Sequence, residues 1–159
     1  MINYNANTIV RLQLWDIAGQ ERFGNMTRVY YRDAAAAFVV FDLSRIATFE
    51  AAAKWKEDLD MKVITGDGSK VPAILLANKC DMPADQITVS DEDIAKFAAA
   101  HGFTAWYKVS AKEGINVDEA GNMAVTSILA REDCSDKLVS LPDRGMMIGK
   151  QSGKKKKCC

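Results

Sequence analysis

The chain has 159 residues, a length that predicts a single domain of ordinary size. Its 48% apolar and 26% charged residues, with only 3 prolines, exclude a disordered or fibrous protein. Because 21 basic residues balance 21 acidic ones, overall charge would not hold the protein on a nucleic acid or a membrane. The longest apolar run, 34–41, is far shorter than a membrane-spanning helix, and no secretory signal begins the sequence. We therefore expect a cytosolic domain.

The histidine and the cysteines offer no obvious catalytic or metal chemistry. Cys80 and Cys134 stand alone, and Cys158 and Cys159 end the chain, so their spacing is not that of a zinc site or a disulfide framework. We interpret Cys80 as a packed thiol. His101 precedes a glycine after a run of alanines, where we expect the end of a helix.

Four segments have the patterns of β-strands. Residues 9–16 alternate apolar and polar side chains, which is typical of a half-buried strand, and the preceding residues 5–7 favour a hairpin turn from an earlier strand. Residues 34–41 and 71–77 are continuous apolar runs of the kind buried on both faces of a sheet. Residues 105–109 form a shorter apolar segment.

Helices are predicted between the later strands. Residues 48–63 place apolar side chains near one face. Ser90 and Asn116 are each followed by acidic residues and are predicted to cap the next two helices, the first of which ends near His101. Alternating strands and helices predict an α/β fold with a doubly wound, mostly parallel sheet, whose ligands lie at the carboxyl ends of the strands.

Three motifs follow these strands, and together they resemble a known family. They are DIAGQE at residues 16–21, NKCD at 78–81 and SAK at 110–112. In this order they are similar to the guanine-nucleotide motifs of Ras-like small GTPases, which have a P-loop NTPase-like fold. The sequence around 15–32 and the final pair of cysteines resemble the Rab branch, and the stretch 24–31 resembles its subgroup that serves lysosome-related organelles.

The chemistry of the last two motifs suits a guanine base. The Asp81 carboxylate can accept hydrogen bonds from the ring N–H and the exocyclic amine of guanine, a pattern that adenine does not offer. The apolar stems of Lys79 and Lys112 can cover the two faces of the ring, and the Ala111 N–H can donate to its carbonyl. The resemblance implies a guanine-binding set of six residues: Asn78, Lys79, Asp81, Ser110, Ala111 and Lys112.

The resemblance assigns the first motif to the phosphates and Mg²⁺. Asp16 matches the residue that holds Mg²⁺ through water, the Gly19 N–H matches the donor to the terminal phosphate, and Gln20 matches the catalytic residue that orients the attacking water, for which this family is the standard example. In the simpler alternative, Asp16 caps a turn and Gln20 is a solvated loop residue. Gly19 has little freedom to change, because a side chain would obstruct the phosphate.

Aromatic residues beside the first motif match a protein-binding surface. Trp15, Phe23 and Tyr30 correspond to positions that Rab proteins present to effectors. For Trp15 and Tyr30, a role in the hydrophobic core is an equally good interpretation of the sequence.

A phosphate-binding loop, GxxxxGK[ST], is not found in the sequence. Residues 145–151 come nearest, but they are one residue short between the glycines and have glutamine at the hydroxyl position. We therefore expect residues 1–133 to form an incomplete GTPase domain that lacks the first strand, the P-loop and the first helix, and to bind nucleotide weakly. The missing strand would lie between the strands at 9–16 and 34–41, which then either face a gap or pair directly.

Residues 134–159 are predicted to be a flexible tail. It ends in four lysines, 154–157, followed by Cys158 and Cys159. In the Rab family such cysteines carry geranylgeranyl chains, and lysines beside them strengthen attachment to anionic membranes. The alternatives are two incidental cysteines and a lysine run that serves nucleic-acid contact or nuclear import. We favour the membrane and expect no nucleic-acid partner, since no aromatic residues or second basic cluster accompany the lysines.

The resemblance implies a molecular switch of membrane traffic that binds and hydrolyses GTP. Its cofactors would be Mg²⁺ and GTP or GDP, and its partners exchange factors, activating proteins and effectors. It would be cytoplasmic and peripheral on endomembranes: lysosome-related organelles, endosomes or mitochondria-associated membranes. The alternative is a nucleotide-free pseudo-GTPase that binds partners through residues 15–31 without switching.

Overall fold

A computed structural model describes residues 1–6, 8–17, 31, 33–64 and 68–131. Several predictions made above lie outside these residues. They concern Gly19, Gln20, Phe23, Tyr30, Cys134, Cys158, Cys159 and the rest of the tail.

The described residues contain five strands and three α-helices. The strands are β1 (Ile2–Asn5), β2 (Thr8–Val10), β3 (Ala37–Asp42), β4 (Ala73–Asn78) and β5 (Ala105–Val109). The helices are α1 (Ile46–Lys62), α2 (Asp91–Ala100) and α3 (Val117–Leu129), and a short 3₁₀ helix spans Ala84–Gln86. None of these helices has the length and apolar character needed to cross a membrane.

β1 and β2 form the predicted antiparallel hairpin, with Ile2 opposite Val10. The strand predicted at 9–16 is wrong beyond Val10, because residues 11–17 have no regular structure. An extended segment needs a hydrogen-bonded neighbour, and in the described part of the chain β2 has only the short β1 beside it. Leu14 and Trp15 are consequently 74% and 63% exposed, so the core role considered for Trp15 is also wrong.

β3, β4 and β5 form a parallel sheet in the order β3-β4-β5. The apolar runs at 34–41 and 71–77 supply β3 and β4, as predicted. The burial of both faces predicted for the first run is wrong, because Val40 of β3 is 56% exposed. Among the described strands only β4 pairs with β3, so β3 and the hairpin do not pair directly.

Helices pack against both faces of this sheet. Leu75 of β4 belongs to a hydrophobic cluster with residues of α1 and α2, including Leu59 and Ile94. Ile74 points to the opposite face because side chains alternate along a strand, and it is fully buried there. α3 contacts β4 and β5. The doubly wound α/β fold predicted from the sequence is confirmed, with a three-stranded parallel core.

The two predicted helix caps have different outcomes. The Ser90 Oγ accepts a hydrogen bond from the Asp93 N–H at 3.1 Å, which confirms this residue as the cap of α2. Asn116 immediately precedes α3, but its side chain does not cap that helix. Its Nδ2 instead donates to the carbonyl of Lys108 at 2.7 Å. The left-handed backbone of Asn116, with φ of 54°, accompanies this contact. Helix α2 ends before His101, as expected.

Candidate functional site

The parallel register brings the carboxyl ends of three strands to one edge of the sheet. Asp42, the last residue of β3, pairs with Asn78, the last residue of β4, and Asn78 pairs with Val109, the last residue of β5. The NKCD and SAK motifs begin where β4 and β5 end. Sequence segments that are about thirty residues apart therefore meet at the position where doubly wound sheets bind their ligands.

Asn78 joins the two motifs directly. Its side-chain Oδ1 accepts a hydrogen bond from the backbone N–H of Ala111 at 3.1 Å. Two residues further along the chain, the Cys80 N–H donates to the carbonyl of Val109 at 3.0 Å. The Cys80 side chain is partly buried against the core, as predicted. A guanine carbonyl at Ala111 would have to share this N–H with Asn78 or displace it.

Asp81 lies on the open side of this junction. The largest influence on its carboxyl is a hydrogen bond from the Ser110 side chain, which lowers its pKa, and the charges of Lys112 and Lys79 lower it further. Ser110 is fully buried, and its Oγ accepts a hydrogen bond from the Glu113 N–H at 3.1 Å. An ionised carboxylate only accepts hydrogen bonds, which is the property that the guanine interpretation requires of Asp81.

The two lysines of the site are held differently. Lys79 has a left-handed backbone, with φ of 69°, and its Nζ lies 2.7 Å from the Asp42 carboxylate. The Lys112 ammonium is 2.8 Å from Glu113 instead, and the side chains of this second pair are 78% and 51% exposed. The Lys79–Asp42 pair is more sheltered, because its side chains are 50% and 15% exposed.

Asp42 was not recognised in the sequence as part of the site. Its Oδ1 accepts hydrogen bonds from the N–H of Ser44 at 2.9 Å and from the Ser44 hydroxyl at 2.7 Å. Burial raises the pKa of this carboxyl, but the hydrogen bonds from Lys79 and Ser44 outweigh burial and lower the pKa to about 2. An aspartate directly after the apolar run 34–41, two residues before a serine, was the available signal.

Asp16 is the remaining predicted site residue within the described part of the chain. It lies in the exposed, irregular segment after β2. Among the described residues, no group of three or more acidic, histidine or cysteine side chains is arranged to hold a metal ion. A single carboxylate still suits a magnesium ion bound through water, because Mg²⁺ keeps most of its water ligands and uses few protein carboxylates.

A cavity of about 440 Å³ lies at the other end of the sheet. Pro72 and Thr104, which precede β4 and β5, line it together with Lys56 and Arg131 of the surrounding elements. None of the predicted site residues borders this cavity. The candidate site is therefore the junction at the carboxyl ends, where the NKCD and SAK motifs meet.

Comparison with known proteins identifies the family. The Ras family model matches residues 1–130. The chain belongs to the Ras family of small GTPases. Within that family it is a Rab protein: it is 57% identical over 129 residues to human Ras-related protein Rab-32, and 41% identical over 152 residues to human Ras-related protein Rab-7L1. Rab-32A of Dictyostelium discoideum is 50% identical over 133 residues. These similarities place the chain near the Rab-32 subgroup.

The coverage of these relatives is unequal. The human Rab-32 alignment covers 81% of this chain and 57% of that protein, and the Dictyostelium alignment covers 83% and 61%. The Rab-7L1 alignment covers 96% of this chain and 73% of the relative. The chain thus spans less than two thirds of the length of the Rab-32 proteins that it matches.

Proposed function

We propose that the chain is a guanine-nucleotide-binding switch protein of Rab type, whose base-binding site is the junction of the NKCD and SAK motifs. The observation that carries this proposal is the 3.1 Å hydrogen bond between Asn78 and Ala111, which lie 33 residues apart and meet beside Asp81 and Ser110. The Asp81 carboxylate feels the charges of Lys79 and Lys112, and the apolar stems of these two lysines suit the faces of a guanine ring.

Each residue of the site has a proposed role. Asp81 accepts from the ring N–H and the exocyclic amine of guanine, and Ser110 keeps this carboxyl ionised and oriented. The stems of Lys79 and Lys112 cover the two faces of the ring. Asn78 holds the two loops together, and the Ala111 N–H is the donor available to the guanine carbonyl.

The triphosphate side of the proposed ligand involves the first motif. We assign Asp16 to Mg²⁺ through water, the Gly19 N–H to the terminal phosphate and Gln20 to the hydrolytic water. When bound, Mg²⁺ would neutralise charge that develops on the phosphates during hydrolysis. Because residues 1–159 contain no GxxxxGK[ST] motif, we expect this chain to bind nucleotide weakly by itself. A partner-binding pseudo-GTPase is the second candidate.

The exposed residues near the first motif favour a role in protein binding. Leu14 and Trp15 are both largely exposed and adjacent. We assign Trp15, together with Phe23 and Tyr30, to the surface that effectors recognise, with exchange factors and activating proteins as further partners. In this proposal residues 1–133 form the GTPase domain, and the tail 134–159 attaches it to endomembranes.

The base site can be tested apart from the phosphates by titrating the 159-residue chain with nucleosides. Chemical-shift changes of backbone amides in NMR spectra would report binding. Guanosine should bind with a Kd on the order of 1 mM and inosine more weakly, while adenosine should produce no saturable change. Asp81→Asn should weaken guanosine and favour xanthosine, because the amide can donate where the carboxylate only accepts.

Two results of this titration would overturn the proposed site. One is equal binding of adenosine and guanosine by the unmodified chain. The other is an unchanged preference for guanosine in the Asp81→Asn variant. Tight, Mg²⁺-dependent binding of fluorescent GDP would instead support nucleotide binding but contradict the expected weakness of the isolated chain.

The membrane proposal has its own test. Replacing Cys158 and Cys159 with serine should release the protein from cellular membranes into the soluble fraction, because both proposed lipid attachment points are lost. Replacing the four lysines with glutamine should only weaken membrane attachment. Continued membrane localisation of the double cysteine variant would contradict the lipid anchor.

A further inference from the structure

We propose that Asp42 is a positioning residue for the base-binding site and that it acts by fixing the ammonium end of Lys79. This inference rests on the proposed function, because it assigns a role within the guanine site. Asp42 belongs to a different strand from both base-binding motifs, and none of the roles assigned above uses it.

The Asp42 carboxylate is held in place by contacts other than its ion pair with Lys79. One of its oxygens, Oδ1, accepts two hydrogen bonds from Ser44, and the other, Oδ2, lies 2.7 Å from the Lys79 Nζ. The backbone of Asp42 is fixed as well, because its N–H donates to the Thr48 Oγ1 at 2.9 Å. Because Ser44 holds one carboxylate oxygen and Thr48 holds the backbone, the other oxygen has one defined position for the Lys79 ammonium.

The sheet sets the distance between the two residues. Asp42 and Asn78 are register partners at the ends of β3 and β4, and the Leu43 N–H continues the pairing by donating to the Asn78 carbonyl at 3.0 Å. Lys79 follows Asn78 with a left-handed backbone that turns the chain at this point. The lysine stem therefore runs between a backbone fixed by β4 and an ammonium fixed by β3.

Fixing the stem would favour binding of a flat ring. A free lysine side chain loses rotational freedom when it packs on a base, and that loss weakens binding. Because Lys79 is already held at its ammonium end, its side chain loses this rotational freedom on folding rather than on binding. The ion pair of Lys112 with Glu113 is largely exposed, and exposed pairs contribute little. We therefore assign Lys79 to a preformed wall of the site and Lys112 to a wall that orders on binding.

The test compares Asp42→Asn with Glu113→Gln as a matched control, using guanosine titration of the 159-residue chain. The asparagine oxygen can still accept the hydrogen bonds from Ser44, but the ion pair with Lys79 is lost. We expect guanosine binding to weaken roughly two- to tenfold in Asp42→Asn and to stay unchanged in Glu113→Gln. In a Lys79→Met background, Asp42→Asn should have no further effect, since methionine removes the ammonium through which Asp42 acts.

The outcomes separate this inference from the proposed function. If the unmodified chain does not distinguish guanosine from adenosine, the proposed function fails. If it does, but Asp42→Asn binds guanosine normally or weakens binding equally in the Lys79→Met background, the positioning role is overturned. Should Asp42→Asn not fold, the exchange of side-chain ammonium protons in the unmodified protein decides: protons of Lys79 should exchange more slowly than those of Lys112, and equal rates would overturn the proposal.

Discussion

The Nζ of Lys56 lies 2.6 Å from the carboxylate of Asp60, one turn further along α1, although only 4% of the lysine side chain is exposed. Asp60 also accepts a hydrogen bond from the Lys70 Nζ at 2.9 Å. Burial raises the pKa of Asp60, but the hydrogen bonds from the two lysines outweigh burial and lower it. A single carboxylate thus compensates a buried charge and ties α1 to the segment before β4.

Asp60→Asn should therefore be strongly destabilising. The amide removes the negative charge opposite a buried ammonium, and a buried ion pair broken on one side costs about 3 kcal/mol. Urea denaturation would measure the loss in the free energy of unfolding. Lys56→Met is the matched control: it fills similar space, and Asp60 keeps Lys70, so we expect a smaller loss. A larger loss in Lys56→Met than in Asp60→Asn would contradict this account.

Asp42 should make stability depend on pH in the acid range. Its pKa is lowered from 3.8 to about 2 in the folded chain, so the unfolded chain binds a proton first as the pH falls. The resulting stabilisation, about 2 kcal/mol, is present above about pH 4 and is lost as the pH approaches 2. Urea denaturation between pH 5 and 2 would measure it. Asp42→Asn should show a shallower loss over this interval, and an identical slope would contradict the contribution of Asp42.

Much of the fold could be predicted because local sequence and tertiary context agree. The apolar run that became β4 is buried, the run that became β3 buries Val39 and Phe41, and Ser90 begins α2 with the hydrogen bond expected of a cap. The edge of the sheet on which the NKCD and SAK motifs meet also followed from the alternation of strands and helices. The packing neighbours of these strands and helices could be inferred from the alternation of strands and helices in the sequence.

The remaining features depend on contacts between distant segments. The alternation at 9–16 is a good strand pattern, yet it ends at Val10 where the hairpin partner ends. Asparagine is a residue type that favours a helix cap, but the Asn116 side chain instead donates a hydrogen bond to a backbone carbonyl of β5. The Asp42–Lys79 pair arises from the register of two strands, which no local pattern specifies.

Val40 provides a test of the uncovered part of the sheet. It is 56% exposed, while its neighbours Val39 and Phe41 are buried on the other face of β3. Exposed β-branched residues in a strand favour association between chains. Val40→Thr should reduce aggregation, measured by light scattering, while changing the free energy of unfolding by less than about 0.5 kcal/mol. Phe41→Ala should instead cost about 3–5 kcal/mol, since it empties a core position. A large stability loss in Val40→Thr would show that this face is covered.

At position 116, glycine should give a more stable protein than alanine, which is the reverse of their ordinary helix propensities. The Asn116 backbone has φ of 54°, where alanine is strained by about 1–2 kcal/mol and glycine is not. Both substitutions remove the 2.7 Å hydrogen bond to Lys108, which contributes about 1 kcal/mol. Asn116→Ala should therefore be less stable than Asn116→Gly in thermal or urea denaturation. The opposite order would mean that Asn116 adopts an ordinary helical backbone, and the link between β5 and α3 would then have to be assigned to other contacts, such as the mutual backbone hydrogen bonds of Ser110 and Ile115.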